Sequence, residues 1–309
     1  MSVLLIFQRM LMLLAMMTLG YAGYKIKWID DHSYSKLSAI VVNIFNPALV
    51  INGALVATAA GSIDFSVVKE NLYFVLVYYC ISIIISVPMA KTLAKNDNQM
   101  TVLQLMTIFS NVGFMGIPVV SAIYGKESII YVTFYFVTYN IILYTLGIAI
   151  AQKNLPKEER KSGLSGLMNV GTLCSIIAVV LFFAGVKPGE NVSAFFDYVG
   201  NATIPLSMMI IGASVAKMPF AEIFKGIRVY IFSALKLLVI PILASFIFRP
   251  FAKNDMVFGI FVIMFSMPVG SIVTMLLKEY GGDESYCSRA TIITTLLSIV
   301  TIPIVVMFI

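Results

Sequence analysis

The sequence predicts an all-α polytopic membrane protein: ten transmembrane helices in a 5+5 inverted repeat, with two crossed, interrupted helices at spans 4 and 9. Three observations predict it. The 309 residues are 60% hydrophobic and 12% charged, with a mean hydropathy of +0.97, far outside the range of ordinary soluble domains. Apolar runs of about 20 residues, enough to cross about 30 Å of hydrocarbon, recur near 3–24, 37–60, 67–90, 100–124, 128–151, 164–186, 198–217, 227–249, 255–277 and 286–308. Landmarks of the first five runs also return, in the same order, in the last five.

Span 1 lacks a basic n-region, contains Gln8 and Arg9 and shows no small-x-small cleavage site, so it reads as a retained helix. Cytoplasmic loops hold excess Lys and Arg. Here those residues gather in connections 1-2 (Lys25, Lys27, Lys36), 3-4 (Lys91, Lys95), 5-6 (Lys153, Lys157, Arg160, Lys161), 7-8 (Lys217, Lys225, Arg228) and 9-10 (Lys278, Arg289). The alternate connections hold only Lys69, Lys126, Lys187, Arg249 and Lys253. Both termini are therefore expected on the extracytoplasmic side of a multi-pass cell-membrane protein. The charged 5-6 connection, AQKNLPKEERKSG, supplies a cytoplasmic linker at 152–163 between a first five-helix repeat, 1–151, and a second, 164–309.

Span 4 carries FSNVG from Phe109 and YG from Tyr124; span 9 carries FSMPVG from Phe265 and YGG from Tyr280, so both landmarks repeat at an offset of 156 residues. NPALVINGALVA from Asn46 in span 2 is echoed by IPLSMMIIGASVA from Ile204 in span 7, and AGYK from Ala22 by AGVK from Ala184. Three echoes in one order indicate an inverted repeat.

Within span 4, Gly113, Gly116 and Pro118 interrupt a membrane-length helix beside Asn111; within span 9, Pro268 and Gly270 do the same. A break at that depth survives only inside protein or against water, because every freed backbone group needs a partner. Crossed interrupted helices bring half-helix N-termini, each with a partial positive charge, to the midplane, where they favour an anion. Asn111, Ser110, Ser266 and Ser271 can add neutral hydrogen bonds there, although each serine serves a helix contact equally well. Asn43, Asn46, Pro47 and Asn52 in span 2, and Asn201, Thr203, Pro205 and Gly212 in span 7, either line a cavity wall or only kink and pack a scaffold. Asn140 in span 5 is expected to face the bundle interior.

Lys236 stands near the centre of span 8, where a lone cation costs about 3 kcal/mol or considerably more. It either neutralises half-helix C-termini at the crossing or attracts an anionic solute. No Asp or Glu occupies the centre of any span, which disfavours cation or proton antiport through a buried carboxylate.

No GxxxxGK[ST], HExxH or GxSxG motif occurs, so the sequence suggests neither an enzyme nor an ATP-driven pump. Cys80, Cys174 and Cys287 are far apart and His32 stands in a polar loop, so neither a metal nor a cofactor is expected. The net charge of +6 sits in short loops and reports topology, not nucleic acid.

NVGFMGIPVV from Asn111, YNIILYTLG from Tyr139, KLLVIP from Lys236 and LSIVTIPI from Leu297 resemble the auxin efflux carrier family of membrane transporters, over essentially the whole chain. The short 5-6 connection resembles that of a prokaryotic member. The resemblance implies a fold akin to bile acid sodium symporters and some sodium/proton antiporters. Helices 1, 2, 6 and 7 (about 3–60 and 164–217) would form a scaffold, and helices 3–5 and 8–10 (about 67–151 and 227–308) a transport domain crossed at Pro118 and Pro268. It further implies a homodimer and an organic anion as cargo, such as malate or an auxin-like acid.

The expected function is a secondary active or facilitative carrier that exports a small organic anion by alternating access, with proton and sodium coupling both open. The alternatives are a sodium-coupled anion symporter and a non-transporting membrane sensor.

Overall fold

The structure is a computed structural model that describes residues 3–59, 64–156, 169–219, 226–280 and 282–309. Most of the 5-6 connection, with Lys157, Arg160 and Lys161, and the start of the expected span 6 lie outside the described residues. The described chain is helical, with a single isolated backbone bridge and no strand. In order, its helices are α1 Val3–Lys25, α2 Asp31–Ala59, α3 Phe65–Leu93, α4 Asp97–Ile108, α5 Val112–Tyr124, α6 Lys126–Ala151 and α7 Val170–Phe183. They continue with α8 Glu190–Lys217, α9 Ile227–Phe251, α10 Asp255–Phe265, α11 Ser271–Glu279 and α12 Glu284–Val306. Six of the described helices (α2, α3, α6, α8, α9, α12) are long and apolar enough to cross a membrane, and α5, α7 and α10 are shorter apolar helices. The chain is a multi-pass membrane protein.

Two helix starts differ from the expected ones. Span 2 was expected from 37, but α2 starts at Asp31 because the Asp30 carboxylate accepts the Ser33 N–H at 2.7 Å. That backbone hydrogen bond holds the Asp30 carboxyl below its ordinary range. Span 7 was expected from 198, but α8 begins at Glu190 and is relieved at Ala202, between its halves Glu190–Asn201 and Thr203–Lys217. Pro205 falls in the first turn of the second half, where a missing N–H costs least.

Three helix-interior prolines share one solution. Pro47, Pro118 and Pro241 each follow, by two residues, a π-helical stretch: Val41–Phe45, Val112–Gly116 and Leu235–Val239. A proline removes one donor and its ring presses on the preceding turn. A widened turn absorbs both effects without ending the helix.

Contacts divide the chain into two units. The first comprises residues 1–69, 113–137 and 169–219; the second comprises 70–112, 138–168 and 220–309. In the first unit α1 lies along the second half of α8. Gly20 faces the Met209 carbonyl and Gly212 the Met17 carbonyl so closely that neither position has room for a Cβ. Small residues that let backbones touch are the usual means of packing helices in lipid.

The second unit is built on α10, whose residues Val257–Phe265 are all buried. Phe74 and Tyr78 of α3 lie against it, with ring centroids 4.7 Å (Phe74–Phe261) and 4.6 Å (Tyr78–Phe265) apart. A helix apolar on every side belongs inside a bundle, and α10 is buried up to its C-terminus at Phe265.

Candidate functional site

Two helices of the second unit stop where they meet. α4 ends at Ile108 and Phe109 leaves the helix at φ −101°, ψ 88°. α10 ends at Phe265, and the chain resumes as α11 at Ser271. Ser110 and Val269 pair as an antiparallel bridge. The Asn111 N–H donates to the Pro268 carbonyl at 2.8 Å and the Gly270 N–H to the Phe109 carbonyl at 2.9 Å. The Val269 N–H donates to the Thr294 hydroxyl of α12 at 3.2 Å. Ser110, Asn111 and Val269 are all buried. Two broken helices thus satisfy each other's freed amides in a buried place, which is the condition for irregular backbone inside a membrane protein.

The approach leaves little space at Gly270. A Cβ there would stand 3.1 Å from both the Ser110 carbonyl and the Tyr139 hydroxyl. The crossing therefore uses Phe109–Asn111 against Pro268–Gly270. Gly116 and Pro118, expected at the interruption, lie beyond it: Gly116 closes the π stretch, and Pro118 starts the regular part of α5 in the first unit. Pro118 is tolerated within a helix because of that stretch, so the chain breaks earlier, at Phe109–Asn111.

Lys236 reaches the same place from α9. Its side chain is buried, and Nζ donates to the Thr107 carbonyl at 3.2 Å and to Ser110 Oγ at 2.9 Å. The Tyr78 hydroxyl donates to Ser110 Oγ at 3.0 Å. Thr107 belongs to the last turn of α4, whose carbonyls have no partner within the helix and carry its partial negative charge. A cation there meets the negative end of a dipole. Beside it lies a small cavity lined by Tyr78, Ser82, Ile85, Thr107, Ser110, Lys236, Ile240 and Phe265, with room for about one water molecule. No carboxylate lines it.

The remaining candidates separate. Ser266 spends its hydroxyl on the Val262 carbonyl of its own helix at 3.2 Å. Ser271 is partly exposed at the first position of α11, and Asn140 is buried in the second unit. In the first unit Asn46 is buried with Oδ1 unpartnered, and a Cβ on Gly113 would lie 3.8 Å from its Nδ2. Asn43 is exposed and donates to the Ala39 carbonyl at 2.8 Å, so it joins neither group.

Sequence reasoning did not single out Tyr78, Thr107 and Thr294. All three are buried polar side chains in apolar helices, which was the available signal.

A second polar group closes the first unit. Asp197 of α8 pairs with Lys126, accepts from Asn52 Nδ2 at 3.0 Å through Oδ1 and from Asn201 Nδ2 at 3.0 Å through Oδ2. Gly125, at φ +90°, makes the turn that brings Lys126 there, a conformation that favours glycine.

A profile described as "Membrane transport protein" matches residues 5–306. An uncharacterized transporter of Methanothermobacter thermautotrophicus is 22% identical over 298 residues, covering 96% of each chain. An uncharacterized transporter of Methanocaldococcus jannaschii is 24% identical over 303 residues, covering 94% of this chain and 95% of the relative.

Proposed function

The chain belongs to the membrane transport protein family, that of the auxin efflux carriers, and on that premise we propose that it is a secondary carrier exporting a small organic anion by alternating access. Malate and auxin-like acids are the representative cargo. The observation that carries the reading is the buried backbone crossing at Ser110–Val269, with the buried Asn111 next to it.

In this reading the anion's carboxylate rests beside Asn111, attracted by the first N–H groups of α11, the end of that helix that carries a partial positive charge. Lys236 holds the crossing together by its hydrogen bonds to the Thr107 carbonyl at the end of α4 and to Ser110. The ten expected spans, in two inverted sets of five, divide into the scaffold and moving parts that the family resemblance implies. The crossing has the features of a site reached alternately from each side: irregular backbone, small residues and buried amides in an otherwise apolar core.

The test begins with a thermal-shift screen of carboxylates on purified protein, since a ligand that binds the folded state raises apparent stability by mass action. Flux of labelled malate into proteoliposomes follows. Losing one hydrogen bond to a charged group costs about 1.5–3 kcal/mol, so Asn111→Ala is expected to lower malate flux by about tenfold or more. Unchanged flux in that variant would overturn the site. Removing sodium from both sides leaves the flux of this carrier intact and stops that of a sodium-coupled symporter.

A further inference from the structure

Lys236 has a chemistry that holding a helix end does not require. Its Nζ has two hydrogen-bond acceptors, the Thr107 carbonyl and Ser110 Oγ, and both are neutral. A neutral amine has two N–H donors and a lone pair, whereas an ammonium has three N–H donors and needs a counter-charge when buried. Two neutral acceptors therefore match the amine. Lys236 also lines the water-sized cavity.

The surroundings supply no standing counter-ion. α3 presents Tyr78, Ser82 and Ile85 to this cavity, α4 presents Thr107 and Ser110, α10 presents Phe265, and α9 itself adds Ile240. Tyr78 is the titratable neighbour among them, and its hydroxyl donates to Ser110. α12 also packs against this stretch of α9, but its charged residues Glu284 and Arg289 lie in its first two turns and do not line the cavity. Arg228 and Arg249 stand near the two ends of α9. Lysine readily loses its proton in such a place, which arginine does not.

We propose that Lys236 is a proton-binding site of the transport cycle, charged when an organic anion occupies the crossing and neutral when the site is empty. This rests on the anion-carrier reading above. The amine lone pair takes a proton from the water on the side the site faces, becoming –NH3+, and the anion at Asn111, one residue from the Ser110 that Lys236 touches, supplies the counter-charge. On the other side the anion leaves, the ammonium loses its counter-charge and the proton follows into water. One proton moves with each anion, so a monocarboxylate crosses without net charge.

Labelled malate is the probe, in proteoliposomes of the full chain with the membrane potential clamped to zero and pyranine inside to report protons. For the wild type, one unit of pH difference is expected to raise the steady-state malate ratio by about tenfold, with one proton entering per malate. Lys236→Arg keeps the cation but cannot release its proton. It is expected to exchange malate for malate at equal pH yet build no ratio on a pH difference. Lys236→Met removes a buried charge and leaves an apolar chain of similar length, a change that folded proteins tolerate. It is expected to lose the proton-to-malate ratio as well.

Folding of both variants is checked by monodisperse elution in detergent. Accumulation on a pH difference by Lys236→Arg or Lys236→Met at the wild-type ratio would overturn the proposal, as would wild-type malate flux indifferent to pH. In the latter case the anion-carrier reading stands. No malate flux in the wild type under any gradient overturns the carrier reading and the coupling with it.

Discussion

At the scale of single residues, a backbone amide of the crossing depends on a hydroxyl outside its two broken segments. Thr294 accepts the Val269 N–H, and both residues are buried. Thr294→Val keeps the shape and removes the acceptor, leaving an amide with no water to turn to. The expected cost is about 1–3 kcal/mol, visible as a lower unfolding temperature in detergent, whereas an unshifted transition would mean that the amide finds another partner. Lys236 and Asn111 were both legible from the sequence, because a charge and an amide within apolar spans are conspicuous. Their partners were not, since a carbonyl such as that of Thr107 exists at every residue and carries no sequence label. Asn43 looked equivalent to Asn46 by composition; the turn of α2 exposes the first and buries the second.

At the scale of elements, the contact between α1 and the second half of α8 is set by Gly20 and Gly212. A Cβ on Gly212 would lie 2.9 Å from the Tyr21 nitrogen, and closer still to the Met17 carbonyl oxygen. Gly212→Leu is expected to cost more than the about 1–3 kcal/mol of a side-chain misfit, because backbone cannot rotate away. The readout is the yield of monodisperse protein; normal yield and stability would show that the helices can separate.

The Asp197 group ties α2, α8 and the Gly125 turn together. Asp197→Ala leaves the buried Asn52 amide short of an acceptor, with an expected cost of about 1–3 kcal/mol. Lys126→Ala breaks only a half-exposed ion pair and is expected to cost at most about 1 kcal/mol. Thermal unfolding of the two variants side by side checks the order, and equal losses would assign the stability to the ion pair. The helices themselves were largely readable from apolar run length. The interruption in the fourth run was displaced from Pro118 to Phe109–Asn111 because a π turn accommodates the proline, and run length does not register helical pitch.

At the scale of the whole molecule, the distribution of Lys and Arg among the connections predicts that both termini face outward. Single cysteines placed at Ser2 and at Ile309, in a chain whose Cys80, Cys174 and Cys287 are replaced by serine or alanine, are expected to react with an impermeant maleimide added to intact cells. Labelling only after permeabilisation would reverse the orientation. Composition by itself determined that the chain lives in a membrane, because a mean hydropathy of +0.97 has no soluble solution. The echo of FSNVG in FSMPVG, together with the prolines and glycines near it, marked the two helices that break. Only the tertiary structure decided that Ser110 pairs with Val269 and that Lys236 closes on Thr107 and Ser110. Those pairings join residues more than a hundred positions apart, and their register follows from how buried amides find partners where water is absent, a condition set by the packing of the second unit's helices together and not by any one segment.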